Sequence, residues 1–130
     1  MQLELTPKEL RRLLDLVYIG NWVLNSTRGA DRFADYDLIQ SKIFSLCPAL
    51  SQTLGPVTLP SREYVEGGIH EAISYYEDNI FYEILAEELS RRDMDYPEIT
   101  DENYPEIARR MQNYMSEFES SGVDHLILEE

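Results

Sequence analysis

Apolar residues near the start of the chain recur at steps of three and four, which is the spacing of a single helix face. This pattern extends from Leu10 to Leu24, and residues 25–29 contain the polar residues and the glycine that typically end a helix. Residues 6–9, Thr-Pro-Lys-Glu, form a capping box with proline at the first helical position, where the missing N–H has no partner to lose. We therefore predict a first helix over residues 7–25.

A second helical pattern lies between Asp31 and Cys47, with Asp31 or Asp35 available as the capping residue. The helix must end by Cys47 because Pro48 follows, and the residue before a proline avoids helical backbone. Residues 43–61 contain no charged residue and three prolines. We expect this apolar connector to pack against the helices rather than extend into solvent.

The longest helical pattern starts at Ser61 or Thr58, extends to about Arg92 and contains the pair Gly67 and Gly68. In a helix interior this pair costs about 2 kcal/mol relative to two alanines, so either the helix breaks there or another backbone approaches it closely. Beyond the glycines, one helix face is apolar at Ile69, Ile73, Tyr76, Ile80 and Ile84. A nearly opposite face is apolar at Tyr75, Tyr82, Ala86 and Leu89. Apolar residues on two sides predict contacts on both, so we expect this helix to be central or to bind a second copy of the chain.

The last helix is predicted between Asn103, which begins a second capping box, and the stop signal at Gly122. The acid-rich stretch over residues 93–103 is interpreted as a loop. Four helices with short connections predict an all-α fold, a small helical bundle of about four helices around the long central helix. We also consider a short extended pairing between residues 57–59 and 125–128, the two remaining segments with strand character.

Charge is distributed unevenly between the two halves of the chain. Residues 1–65 hold seven acids and seven bases, whereas residues 66–130 hold 18 acids and four bases, so the net charge of −14 belongs to the second half. A length of 130 residues predicts a single helical domain over residues 1–130. Because nucleic acids and membrane surfaces are negatively charged, we expect the protein to bind neither of them.

Cys47 is the only cysteine in the sequence. A single cysteine cannot form a disulfide within the chain, and a sequence with so few cysteines is typical of a protein from a reducing compartment. No apolar run approaches the ~18 residues that are needed to cross a bilayer. We therefore predict a cytoplasmic protein that is not bound to a membrane.

Acidic residues around His70 provide one candidate for chemistry. If the long helix is continuous, three glutamates lie within about 40° of His70 on its surface, namely Glu63, Glu66 and Glu77. Carboxylates together with an imidazole hold divalent metals inside helical bundles. A metal-dependent enzyme is therefore one alternative function, with a divalent metal as its cofactor. No catalytic residue and no other cofactor is predicted, because the sequence lacks nucleophile and phosphate-loop motifs.

The acidic half favours a different function, which is binding to a basic protein. Crowded carboxylates repel one another, and a partner rich in Lys and Arg relieves this repulsion and associates faster. Our first hypothesis is a non-enzymatic protein interaction module. Its candidate partner-binding residues lie on and beside the second apolar face of the long helix, namely Tyr75, Tyr82, Ala86, Leu89, Glu87 and Glu88. We also expect a homodimer paired through the long helix, which without a charged partner would be a structural bundle.

Overall fold

The computed structural model describes residues 1–129, and the contacts within it divide the chain into two compact units, Met1–Ile73 and Ser74–Glu130. The chain is mostly helical and has one two-stranded antiparallel sheet, which confirms the predicted helical fold and a short extended pairing. In chain order the elements are α1 (Pro7–Asn25), α2 (Ala34–Phe44), β1 (Ser51–Leu54), β2 (Val57–Pro60), α3 (Arg62–Tyr64), α4 (His70–Asp93) and α5 (Tyr104–Ser121). The single domain predicted from the chain length stays a prediction.

The two longer helices of the first unit begin in different ways. α1 has the predicted bounds and capping box, since the Thr6 hydroxyl accepts from the Glu9 N–H at 3.1 Å and the Glu9 carboxylate accepts from the Thr6 N–H at 2.9 Å. α2 begins after Phe33, so neither of the two predicted caps, Asp31 and Asp35, is used. The Asp31 carboxylate is held within the preceding turn instead, and the prediction of this cap was therefore wrong.

The core of the first unit forms where α1, α2 and α3 meet. Leu14, Phe44 and Tyr64 are fully buried there, and the rings of Phe44 and Tyr64 make an edge-to-face contact with centroids 5.1 Å apart. The Tyr64 hydroxyl donates a hydrogen bond of 2.7 Å to the Asp15 carboxylate, so the polar end of this ring has a partner. The half-buried residues packed around this core are Val17, Tyr18, Ile43, Cys47, Leu50, Val65 and Ile69. Part of the uncharged connector therefore packs against the helices, as expected.

The rest of the connector forms a β-hairpin. β1 and β2 pair along their whole length, and Gly55 at φ +60° begins the two-residue turn between them. The predicted extended residues 57–59 are therefore in a strand, but they pair with β1 and not with residues 125–128. Closing a two-residue loop costs less entropy than joining segments that are far apart in the chain, which favours the local partner.

The long predicted helix breaks at its glycine pair. Residues Val65–Ile69 form a π-helical turn in which Gly68 adopts φ +112°, outside the helical range. A Cβ atom on Gly67 would meet no atom within 4 Å, and one on Gly68 would meet only the Glu71 carboxylate at 3.8 Å. Gly68 is therefore needed for the backbone turn, and neither glycine is needed for a close approach of another segment. α3 and α4 are separate helices.

The second unit consists of α4 after Ile73, a loop and α5. Tyr82 near the middle of α4 contacts Phe118 near the end of α5. At the loop, Asp93 contacts Tyr114, which lies earlier in α5. The contacts thus run in opposite directions along the two helices, and α4 and α5 form an antiparallel hairpin.

α5 has the predicted start and stop residues, but the predicted capping box does not form. The Asn103 side chain accepts from the Thr100 N–H at 2.8 Å and donates to the Glu98 carbonyl at 2.6 Å, so it holds the preceding loop. Glu106, the other half of the box, binds the guanidinium groups of two arginines about one turn further on. The Glu106 carboxylate is thus engaged by side chains of α5 and does not cap the helix, and the prediction of this box was wrong.

Gly68 and Gly67 allow a matched test of the helix break. Gly68→Ala places a Cβ atom on a backbone at φ +112°, so we expect the free energy of unfolding to fall by about 1–2 kcal/mol. Gly67→Ala should be neutral or slightly stabilising, because Gly67 has φ −85° and space for a Cβ atom. Urea unfolding followed by circular dichroism measures both variants. An equal loss in the two variants would contradict the role given to Gly68.

Candidate functional site

In the second unit, one side of α4 is covered by α5. Ala86 and Ser90, four residues apart on that side, are fully buried, and the Ser90 hydroxyl donates to the Ala86 carbonyl at 2.7 Å. One turn earlier, the centroid of the Tyr82 ring lies 5.3 Å from the centroid of the Phe118 ring of α5. A Cβ atom on Gly122 would come within 3.3 Å of the Tyr82 hydroxyl, so this glycine leaves room for the tyrosine.

The hairpin is held at its loop end by a cluster around Asp93. The Tyr114 hydroxyl of α5 and the Arg92 guanidinium both donate to the Asp93 carboxylate, the guanidinium at 2.9 Å. The hydrogen bond from Tyr114 is the main cause that lowers the pKa of Asp93, followed by the bond from Arg92. The bond to Asp93 is also the main cause that raises the pKa of Tyr114. Asp93 therefore links the two helices most strongly when it is ionised.

Every arginine of the second half of the chain forms an ion pair within this unit. The pairs are Arg91 with Glu88, Arg92 with Asp93, and Arg109 and Arg110 with Glu106. Hydrogen bonds from Arg109, first, and from Arg110 lower the pKa of Glu106 to about 2. Residues 66–130 contain no lysine. Most of the 18 acids in this half therefore carry charge that no base of the same half offsets.

The other side of α4 is open to solvent and largely apolar. At about 100° per residue, five of the six residues on this side lie about 120° or more around the helix from Ala86, and Tyr76 lies about 80° from it. We call these six residues the open face of α4: Tyr76, Glu77, Ile80, Phe81, Ile84 and Glu88. Tyr76, Phe81 and Ile84 are 63%, 51% and 53% exposed. These side chains form a strip along the helix that α5 leaves uncovered.

The open face of α4 also carries negative charge. Glu77 and Glu88 stand among its apolar residues, and both are exposed. The nearest bases along the chain are Arg62 and Arg91, so α4 contains no positive side chain before its last turn. An exposed apolar strip bordered by carboxylates favours a partner that presents both apolar and basic groups.

The predicted partner-binding residues differ in how far they are buried. Four of the six are partly or fully buried, namely Tyr82, Ala86, Glu87 and Leu89. Tyr75 and Glu88 are exposed. The spacing of apolar residues gives the direction of each face, but it does not say which face a neighbouring helix covers. Phe81 was assigned to neither face, although its position three residues before Ile84 is a signal that would have placed it on the exposed strip.

The predicted metal ligands are not brought together by the fold. Glu63 and Glu66 precede the glycine break, whereas His70 and Glu77 follow it, so the continuous helix that would align them does not exist. The Nε2 atom of His70 lies 2.6 Å from the Tyr18 hydroxyl, with which it shares a hydrogen bond. Among residues 1–129, no three His, Cys, Asp or Glu side chains are grouped closely enough to hold a metal ion.

Comparisons with known proteins add no family to these observations. No protein-family model, curated protein or solved structure matches the chain. None of the helices within residues 1–129 is long and apolar enough to cross a bilayer.

Removing the Tyr114 hydroxyl tests the electrostatics of the hairpin. In Tyr114→Phe we expect the pKa of Asp93 to rise toward its ordinary value of 3.8, because the main cause of its lowering is lost. A carboxyl with a lowered pKa stabilises the folded state above its ordinary pKa, and this contribution is lost as the pH falls through the lowered value. Stability below pH 3.8 should therefore decline less steeply in the variant than in the wild type.

The pKa of the Asp93 carboxyl is measured by an NMR titration of the variant and the wild type. Tyr104→Phe is the matched control, since Tyr104 belongs to the same unit and is 58% exposed. This control should leave the titration of Asp93 unchanged. An unchanged pKa in Tyr114→Phe would remove the basis for linking the two helices through this bond.

Proposed function

We propose that this chain is a non-enzymatic interaction module and that the open face of α4 binds a basic, amphipathic helix of a partner protein. One observation carries the proposal. Tyr76, Phe81 and Ile84 are large, apolar and more than half exposed on the side of α4 that α5 leaves free. Single exposed apolar residues are common on proteins, but a contiguous strip of them is typical of an interaction site.

The apolar residues of the open face provide the affinity. Burying a Phe or Ile side chain contributes about 1.5–3 kcal/mol, and a few central residues carry most of the binding energy of an interface. Tyr76, Ile80 and Ile84 follow one another at steps of four, which makes them a ridge along the helix. Ridges of this kind pack into the grooves of a second helix, so a helical partner suits this surface.

The carboxylates of the open face favour a partner with positive charge. Exposed ion pairs contribute only about 0.2–1 kcal/mol each, so their effect is mainly on the rate of association and on the choice of partner. Two open faces brought together would place Glu77 and Glu88 of one copy near the same acids of the other, and like charges oppose this. Pairing of two copies through the open face of the long helix is therefore disfavoured.

The proposal places the module in the cytoplasm. Its single cysteine, Cys47, packs beside the core of the first unit as a small apolar residue. A thiol that takes part in no disulfide suits a reducing compartment. A protein partner is preferred to nucleic acid or to an anionic membrane, because both of these would be repelled by the open face.

A synthetic amphipathic helix made of Lys and Leu is the probe for this proposal. We expect it to bind the full chain, and to bind more weakly at high salt, because salt screens the attraction between its lysines and the carboxylates of α4. Replacing both Phe81 and Ile84 with serine should weaken binding by about tenfold or more. Fluorescence anisotropy of the labelled peptide gives the dissociation constants.

The control variant is Leu38→Ser, which removes a residue that is 66% exposed on α2 in the first unit. It should leave the dissociation constant unchanged. A control peptide with Glu in place of Lys keeps the apolar residues and should bind more weakly than the basic one. The proposal would be contradicted if Leu38→Ser weakened binding as much as the double replacement of Phe81 and Ile84 by serine. Equal binding of the two peptides would also contradict it.

A further inference from the structure

An apolar groove lies beside the first turns of α1, in the first unit. Its walls are Leu3 and Leu5, which precede the helix, and Leu13 and Leu16, which lie on it, and its volume is about 350 Å3. We call it the leucine groove. Leu3 and Leu16 are 74% and 71% exposed, so the groove is open to solvent and has apolar walls without an apolar occupant.

The rim of the leucine groove carries more bases than acids. The charged residues that line it are Lys8, Glu9 and Arg12. The Glu9 carboxylate is already engaged, since it accepts from the Thr6 N–H in the capping box. The Arg12 side chain is 71% exposed and lies 3.7 Å from Asp15, near the outer limit of an ion pair. Its guanidinium is therefore available to an acid that enters the groove.

Residues 126–129, which follow α5, have the complementary chemistry. Leu126, Ile127 and Leu128 are 43%, 86% and 94% exposed, and Glu129 follows them directly. These four residues belong to no helix or strand. An apolar segment without regular structure can take the extended conformation in which peptides dock into grooves.

We infer that residues 126–129 of one copy bind the leucine groove of a second copy of the chain. The apolar side chains of the segment displace water from the leucines, and Glu129 pairs with Arg12 at the rim. The segment and the groove are both apolar, and the charges that pair at the rim are of opposite sign. One contact between two copies therefore covers the apolar side chains of the segment and those of the groove. If each copy gives its segment to the other, the exchange closes into a two-fold symmetric dimer.

This contact is separate from the open face of α4. It uses no residue of that face, and it leaves the face free for a partner. It gives a homodimer through a surface other than the long helix, and it does not bring the acidic strips of two copies together. The contact between copies and the binding of a basic helix can therefore fail independently.

The first test is the mass of the full chain in solution over a series of concentrations, measured by sedimentation velocity. We expect dimers or larger assemblies to form as the concentration rises. Replacing both Ile127 and Leu128 with serine should raise the dissociation constant by about tenfold or more. Because both residues are almost fully exposed, the fold should be unaffected, which circular dichroism checks.

Leu54→Ser is the control for the first test, since Leu54 is 64% exposed on β1 and lies outside the groove. It should associate like the wild type. A chain that stays monomeric at every concentration, as it would if the segment occupied its own groove, would overturn the inference. The inference would also be overturned if Leu54→Ser weakened association as much as the double replacement of Ile127 and Leu128 by serine.

The second test exchanges the charges at the contact. Arg12→Glu and Glu129→Arg each place like charges together, and each should weaken association by about fivefold. Mixing the two variants places opposite charges at both contacts between unlike copies, so the mixture should regain the association of the wild type as heterodimers. A contact within one chain gains nothing from mixing, and a mixture as weak as its components would overturn the inference.

The Lys/Leu probe peptide separates this inference from the proposed function. It should bind Arg12→Glu and Glu129→Arg as tightly as it binds the wild type, because neither residue belongs to the open face of α4. Loss of self-association with unchanged peptide binding supports the contact between copies. Failure of the peptide to bind any of the three proteins would count against the proposed function alone.

Discussion

The backbone conformation of Gly68 is the constraint on which the first unit depends. On an unbroken helix, Tyr64 and His70 would point about 120° apart, and they would not both face α1. The break turns the chain so that the Tyr64 hydroxyl reaches Asp15 and the His70 imidazole reaches Tyr18, about one turn further along α1. A single glycine at φ +112° thus allows the segments on both sides of it to be anchored to the same helix.

In the second unit, the ion pairs formed within the hairpin also determine which surface keeps a negative charge. Three of the four arginines are used inside the hairpin, where they bind Asp93 at the end of α4 and Glu106 at the start of α5. The small residues Ala86 and Ser90 are fully buried on one side of α4. The opposite side carries the carboxylates Glu77 and Glu88, and only Glu88 pairs with an arginine, Arg91, so this face keeps more acids than bases.

Elements whose signals are local were predictable from the sequence. The capping box of Thr6 and Glu9 placed α1 correctly, because both partners lie in one turn. Asn103 and Glu106 show the same spacing without forming the box, since Thr100 and two arginines compete for their side chains. β2 was identified as extended while its partner was not, because pairing depends on loop closure. The two apolar faces of α4 could be predicted from the sequence, but periodicity does not reveal which face another helix covers. The predicted metal ligands depended on a continuous helix, and the helix is broken at Gly68.

The position of the only tryptophan offers an optical means of telling the two units apart. The Trp22 ring lies in α1, 6.1 Å from the His70 ring, so its emission reports on the first unit. Helical ellipticity arises from both units. When the two signals are recorded in one titration, coincident midpoints indicate a chain that unfolds cooperatively, whereas separate midpoints indicate two units that melt independently.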